Sequence, residues 1–388
     1  MFFARRWKTE VRRQKTEVRR RSLSLPAASL FYLLSSASFA VGQTGNGHID
    51  VPKDGPVGLV SVDWSGSRAT PRGSAYLVDV HASISLRNSS QKHIRGVTLE
   101  VLAQEVTPGG KGAVKVPSLD VAPGDVFSMR IDETLLRPLG AAENGPMVEV
   151  RLDGVLFDDL TFYGPDKLNS QREMTVWEME ARRDRKYFKT LLETAGGDAL
   201  QKEMLLSLTR QADMPRPGVQ VVRGRATNAD PEHEVQFAFL HMPDAPVEPA
   251  SGVARVTANE AFAPRFEVRN LSKRPIRYLE IGWIVKDRSG NEFLAATLPA
   301  DVNLAPGQGA RVSPDAEIRF PDRLAIQSMS GFVSTVEYGD GSYWIPSRPA
   351  MDDPQLRNLA VPSPEEQRLS QIYRKKGLDA LIQELKKF

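Results

Sequence analysis

The sequence predicts a protein that is mainly β with helical appendages: two duplicated antiparallel β-sandwich units, each followed by a helical segment. Three observations point there. The chain has 388 residues, too many for one ordinary core, and matches itself in order at separations of 181 to 187 residues. Its β-like stretches alternate apolar and polar residues with a period of two. Each half then closes on a run with helix-start signals and helical spacing.

The repeat is clearest at its turns. Arg87-Asn88-Ser89-Ser90-Gln91-Lys92-His93-Ile94-Arg95 aligns with Arg269-Asn270-Leu271-Ser272-Lys273-Arg274-Pro275-Ile276-Arg277 at a separation of 182. Ala122-Pro123-Gly124-Asp125 aligns with Ala305-Pro306-Gly307-Gln308 at 183. Asp153-Gly154 followed by Leu156-Phe157 meets Asp340-Gly341 followed by Tyr343-Trp344 at 187, and Asp198-Ala199-Leu200 meets Asp379-Ala380-Leu381 at 181. Ahead of the first turn, Val78, Val80, Ala82, Ile84 and Leu86 alternate with Asp79, His81, Ser83, Ser85 and Arg87, the mark of a half-buried strand. Phe266 and Val268 stand in the places of Ile84 and Leu86. Beyond the turn, Val97, Leu99 and Val101 match Leu279, Ile281 and Trp283. The Pro-Gly pairs at 123–124 and 306–307 are turn chemistry, and the Asp-Gly pairs read as hairpin turns. Short strands with frequent turns and no interposed helices indicate an antiparallel sandwich.

Ser170-Gln171-Arg172-Glu173 and Ser363-Pro364-Glu365-Glu366 read as capping boxes, the second with Pro at the first helical position. Met174, Trp177, Ala181, Phe188, Leu191 and Leu192 form an apolar stripe, interrupted by a charged run at 182–186 that reads as a solvated helix face. Gly196-Gly197 ends that helix, and Leu200, Met204, Leu205 and Leu208 begin another face. In the second copy Leu369, Ile372 and Tyr373 precede Gly377, and Leu381, Ile382 and Leu385 follow it. The expected organisation is a signal peptide over 1–40, a linker over 41–56 and a first β unit over 57–167. A helical segment over 168–213, a second β unit over 214–349, and a linker with a C-terminal helical segment over 350–388 complete it. Pro215-Arg216-Pro217-Gly218 marks the boundary between copies.

Ser85-Leu86-Arg87-Asn88, then Ile94, then Ala122-Pro123-Gly124-Asp125 ahead of a strand is similar to the tandem immunoglobulin-like and fibronectin-III-like β-sandwich modules of secreted bacterial proteins. There a strand ends in Asn-x-Ser and a Pro-Gly turn precedes a later strand. Both copies carry the pattern, over about 57–165 and 219–348. The resemblance implies an immunoglobulin-like fold and brings no shared catalytic residues with it.

The formal charge of +3 is misleading. Nine Lys or Arg against Glu10 and Glu17 lie in residues 1–21, and 22–40 carry no charge, so 51 less nine leaves 42 basic residues and 48 less two leaves 46 acidic over 41–388. The basic excess belongs to a leader, which removes nucleic acid from the expected partners. A basic start, an apolar stretch densest at Leu30-Phe31-Tyr32-Leu33-Leu34, and small residues at Ser38 and Ala40 predict a signal peptide cleaved after Ala40. The alternative is an uncleaved N-terminal membrane anchor. Cleaved, the chain keeps no membrane span. Residues 8–14 and 15–21 are a near-perfect tandem copy, and translation from about Val18 in place of Met1 leaves an ordinary short leader. Cysteine is absent, which removes disulfides, zinc-thiolate sites and thiol catalysis.

The sequence presents no catalytic constellation, no cofactor-binding motif and no metal-ligand spacing. His48, His81, His93, His233 and His241 lack metalloprotease spacing, and no Gly-x-Ser-x-Gly elbow or phosphate-cradling loop occurs. Asp153, Asp158 and Asp159 read as a solvated loop, with calcium the alternative. Tyr338, Tyr343 and Trp344, near one turn, are the candidate contacts for a partner or ligand. The expectation is an exported, non-enzymatic binding or scaffolding protein of the bacterial envelope acting through protein–protein contact. A carbohydrate- or polymer-binding accessory is the second reading, an enzyme of unrecognised type the third. The helical faces, which need cover, offer a route to oligomers.

Overall fold

The protein is described by a computed structural model over residues 47–140, 146–214, 219–222, 232–258, 260–314, 316–320 and 324–388. The leader, its tandem copy and the 215–218 boundary lie outside the described residues. The first half runs β1 (Gly47–Asp50), β2 (Val57–Asp63), β3 (Arg68–Arg72), β4 (Ala75–Asn88), β5 (Ile94–Leu102), β6 (Lys111–Val116), β7 (Val126–Pro138), β8 (Val148–Phe157), β9 (Phe162–Tyr163) and α1 (Ser170–Asp213). The second runs β10 (Gln220–Val222), β11 (His233–Phe239), β12 (Val247–Val256), β13 (Glu260–Asn270), β14 (Ile276–Asp287), β15 (Glu292–Leu304), β16 (Gly309–Val312), β17 (Glu317–Arg319), β18 (Ile326–Tyr338), β19 (Tyr343–Trp344), α2 (Arg348–Met351) and α3 (Pro364–Leu385). The fold is mainly β with helices. Among the described residues no helix is long and apolar enough to cross a membrane.

In the first half one sheet has the order β1-β8-β5-β6 with β9 on β8, and a second has β2-β4-β3 with β7 on β4. Ile84, Leu86 and Ile131 from one sheet share a core with Leu99, Val101 and Val150 from the other. The alternation read in 78–87 holds: Val78, Val80, Ala82, Ile84 and Leu86 are all buried. In the second half β11 pairs with both β12 and β18, so the layers join into a nearly closed, barrel-like sheet. Its core centres on Trp283, whose ring meets Phe237 edge-on at 4.7 Å, with Phe266 at 6.1 Å.

The same pairings recur in both halves. β2–β4, β4–β7, β5–β8, β5–β6 and β8–β9 are matched by β12–β13, β13–β16, β14–β18, β14–β15 and β18–β19, all antiparallel. The expectation of purely antiparallel sheets fails at one matched place, because β1 runs parallel to β8 and β11 parallel to β18. β1 lies along the last long strand of the first half and β11 along that of the second, each pointing the same way as its partner. Residues 47–50, expected in a linker, therefore belong to the first half's sheet.

Side chains repeat as well. Asn88 Nδ2 donates to the carbonyls of Lys92 (2.9 Å) and Val121 (3.0 Å), and Asn270 Nδ2 to those of Arg274 (2.8 Å) and Leu304 (3.0 Å). Each Asn Oδ1 accepts from the amide and hydroxyl of a serine two residues on, Ser90 or Ser272. Gly124 and Gly307, at φ 85° and 74°, close the facing turns with amides that donate to the same two asparagines' carbonyls. At the end of each half the pairing corrects the sequence alignment. Ile94 faces Phe157 and Ile276 faces Tyr338, so the separation there is 181, and Asp340 corresponds to Asp159 rather than Asp153. Asp159 accepts from Thr161 N and from Lys92, which lies over the Phe157 ring. Asp340 accepts from Ser342 N and from Arg274, over the Tyr338 ring.

α1 and α3 are each two helices joined at a glycine, Gly196 at φ 81° and Gly377 at φ 84°, where only glycine is unstrained. The tails pack on one another. Their buried core is Phe188, Leu200 and Met204 from α1 with Leu369, Leu381 and Leu385 from α3, three pairs at a constant separation of 181. The faces that needed cover thus cover each other within one chain. Of the two serines expected to open capping boxes, one caps its helix. Ser363 Oγ accepts from Glu366 N at 3.1 Å, while the Glu366 carboxylate turns to Arg348 and Arg210. Ser170 instead turns to Asp153 Oδ2 and Thr98 Oγ1, both at 3.0 Å, and Asn169 at φ 50° holds the N-cap position. Docking of the helix onto β5 and β8 outweighs the local cap.

Asn270→Ala leaves two carbonyls and a turn without their donor, and is expected to lower the unfolding free energy by about 2–4 kcal/mol, with Ser272→Ala below about 1 kcal/mol. Urea denaturation reads both; equal small effects would remove the asparagine as the organiser of the turn. Leu381→Ala, at full burial in the helical core, should cost about 2–5 kcal/mol by the same measurement.

Candidate functional site

The residues singled out from the sequence are not gathered into one site. Tyr338 is buried, with the Arg274 guanidinium 3.7 Å above its ring. Trp344 is half-buried and packs against the second core, and Tyr343 is half-buried opposite Glu337 on β18. The three do not form an exposed strip, because alternation along β18 and β19 turns Tyr338 and much of Trp344 inward. The three aspartates separate too: Asp153 accepts from Lys167 N at 2.8 Å, Asp159 closes a turn, and Asp158 lines a cleft. Among the described residues no three His, Asp or Glu side chains assemble as metal ligands.

Charge concentrates instead around α1, which lies against both β assemblies. On one side Met174 fills the space above Gly96 of β5, where a Cβ would clash. On the other, Arg172 Nε donates to Glu337 Oε2 at 2.8 Å, and Arg277 Nε donates to Oε1 at 2.7 Å. Glu337 is wholly buried, so removing either arginine strands charge in a region of low dielectric. Arg172 also stacks 3.5 Å over Tyr278, whose hydroxyl donates to Glu280 Oε1. Burial, followed by Glu280, pushes the Tyr278 hydroxyl up, and burial pushes Tyr343 up to about 12. Burial likewise raises Glu280, against the hydrogen bond from Tyr278 and the charge of Arg172. Burial holds the carboxyl of Glu180, on the same stretch of α1, at about 7, with Arg183 opposing and Asp184 and Glu280 adding to the rise. A second network ties the tails together. Arg348 donates to Glu366 Oε2 at 2.5 Å, Arg210 to Glu366 Oε1 at 2.8 Å, and Ser363 Oγ to Asp184 Oδ2 at 2.5 Å.

The charged run at 182–186 is not simply a solvated face. Asp184 and Arg185 are buried, Arg183 donates to the Pro346 carbonyl at 3.0 Å, and Arg182 donates to the Asp158 carbonyl. Consecutive arginines thus reach the second and first β assemblies. Beside them opens a cleft of about 640 Å³ lined by β5, α1 and the residues after α3. Its cations are Arg95, Arg182, Arg185, Lys186, Lys189 and Lys387, and its carboxylates Asp158, Glu178 and Glu193. Glu178 Oε1 accepts from Arg182 Nε at 3.0 Å and from Arg185 at 2.9 Å, and lies 3.9 Å from Arg95 Nε. Phe388 covers Arg185 at 4.1 Å and Arg95 at 5.3 Å from its ring centre. Arg95 Nε and Glu178 Oε2 are buried without a hydrogen-bond partner, each at a cost of about 1–3 kcal/mol. The sequence signal for this cleft was the four-residue spacing of Arg182 to Lys186 and Arg185 to Lys189, like charges stacked on one helix face.

No protein family and no curated protein matches the sequence. Among solved structures, a β-glucosidase from Kluyveromyces marxianus aligns over 67% of this chain and 45% of its own at 8% identity, with a TM-score of 0.17. An allantoicase from Saccharomyces cerevisiae aligns over 70% and 82% at 9% identity, with a TM-score of 0.07. The chain spans less than half the length of the β-glucosidase, and neither likeness carries an argument about fold or activity.

A carboxyl whose folded pKa lies near 7, against an ordinary 4.5, binds its proton more tightly in the folded state. Stability therefore falls as pH rises between these values and stays lower above them. Glu180→Gln removes this cost and is expected to raise the unfolding free energy by about 1–3 kcal/mol at pH 8 and by nearly nothing at pH 4. Urea midpoints at the two pH values check it; an equal gain at both would refute the assignment.

Proposed function

We propose that the chain is an exported, non-enzymatic binding or scaffolding protein of the bacterial cell envelope, built from two duplicated immunoglobulin-like sandwiches. The observation that carries the reading is the use made of its buried charge. Arg172–Glu337, Ser363–Asp184 and Arg348–Glu366–Arg210 each join segments far apart in the chain, so the charged groups hold two β assemblies and two helical tails in one fixed relation. A body that holds two sandwich surfaces at a set spacing suits a scaffold. The recurrent strand pairs and the repeated Asn88 and Asn270 turns support the duplication. The leader supports export, with cleavage after Ala40. Tyr343 and Trp344, half-exposed on β19, are the proposed partner contacts, with Tyr338 supporting them from within the core.

Cross-linking in the native host, followed by mass spectrometry of envelope and medium fractions, is expected to recover one recurrent envelope protein. A double substitution, Tyr343→Ala with Trp344→Ala, should reduce that cross-link severalfold without changing secretion. Recovery of the chain free in the medium, with no recurrent partner, would defeat the scaffold reading.

A further inference from the structure

We propose that the cleft between β5, α1 and the residues after α3 is a binding site for a phosphate-bearing ligand. This does not rest on the scaffold reading. Cations enter the cleft from three separate elements: Arg95 from β5, Arg182, Arg185, Lys186 and Lys189 from α1, and Lys387 from beyond α3. Donors arranged around a volume suit the oxygens of a tetrahedral phosphate better than the two coplanar oxygens of a carboxylate. The existing carboxylates satisfy this charge only in part. Arg95 is paired with Asp120 at 2.7 Å, Glu178 is shared between Arg182 and Arg185, and Lys387 is held by Glu384 at 2.7 Å, whereas Lys186 and Lys189 have no ion-pair partner among the described residues.

The spacing sharpens the point. Arg182 with Lys186, and Arg185 with Lys189, are like-charge pairs four residues apart, which a helix selected for stability alone avoids. They are held there by a buried framework. Arg185 is 5% exposed, its Nε bound to the Ala181 carbonyl at 3.2 Å and its guanidinium covered by Phe388. Arg185, committed to these partners and to Glu178, adds a fixed positive charge beneath two unpaired lysines, which make the direct contacts with the ligand. At about 640 Å³ the cleft exceeds one phosphate and has room for a hydroxylated body attached to it.

The test uses the mature full-length chain with glucose 1-phosphate as probe and glucose as the neutral control, in calorimetry at low salt. A second arm uses sedimentation with vesicles of phosphatidylglycerol in phosphatidylcholine. The variant is Lys186→Gln with Lys189→Gln, and the control is Lys375→Gln with Lys376→Gln, exposed on α3 away from the cleft. Binding of glucose 1-phosphate but not glucose is expected, weakened about tenfold or more by the cleft variant, unchanged in the control, and falling as salt rises. Because the cleft variant relieves like-charge repulsion, its urea midpoint should hold or rise, which separates lost binding from lost fold. Binding to vesicles without binding to the free ester keeps the site and assigns its phosphate to a lipid headgroup. No binding in either arm, or binding that the cleft variant leaves unchanged, overturns the proposal.

Discussion

One helix serves two β assemblies, and the rest of the structure depends on that shared contact. The first half of α1 places Ser170 and Met174 against β5 and β8 and Arg172 against Glu337 of β18. Arg182 and Arg183, adjacent in sequence, reach carbonyls on opposite sides. A helix with one apolar stripe ordinarily chooses one partner. This helix has two because its second partner is met by charge. Buried ion pairs contribute little net stability after desolvation, but they penalise any displacement that would unpair them. The junction is therefore specified more strongly than it is stabilised.

The helical tails show the opposite balance. Phe188, Leu200 and Met204 meet Leu369, Leu381 and Leu385, an apolar core drawn equally from both copies. Neither tail, bringing three buried apolar residues to this core, could hold its two helices together alone. Together they form a small bundle whose glycine hinges, Gly196 and Gly377, occupy matching places. Each tail thus finds a partner of similar make-up inside the chain. The Arg348–Glu366–Arg210 network lies beside this core and links α2 to both tails.

The β halves share one set of pairings and differ within it. The Asn88 and Asn270 turns keep every bond, since each asparagine satisfies backbone groups that would otherwise be buried unpaired. Away from these turns the copies differ. Position 156 is Leu where 337 is Glu, so at this place only the second half carries a buried carboxylate, whereas the first half meets α1 through Asp153 three residues earlier on the same strand. β11 bridges two layers of the second half, while β1, at four residues, lies on one sheet of the first.

Period-two alternation, the paired turn motifs and the matching glycines were legible because each is a local requirement: a strand exposes alternate faces, a turn needs Asn or Gly, and a hinge at positive φ needs Gly. Ser363 as a cap was legible for the same reason. The sequence by itself determined the repeat, the strand-rich halves, the helical tails and the places where the chain turns. Ser170 looked like the same cap and is not one, because Asp153 and Thr98, distant in sequence, compete for its hydroxyl. The parallel pairs at β1 and β11, the inward turn of Tyr338, the pairing of the tails and the basic cleft were likewise decided only by tertiary structure. Each depends on which surfaces meet across about ninety residues or more, or between sheets, and neither period nor spacing records that.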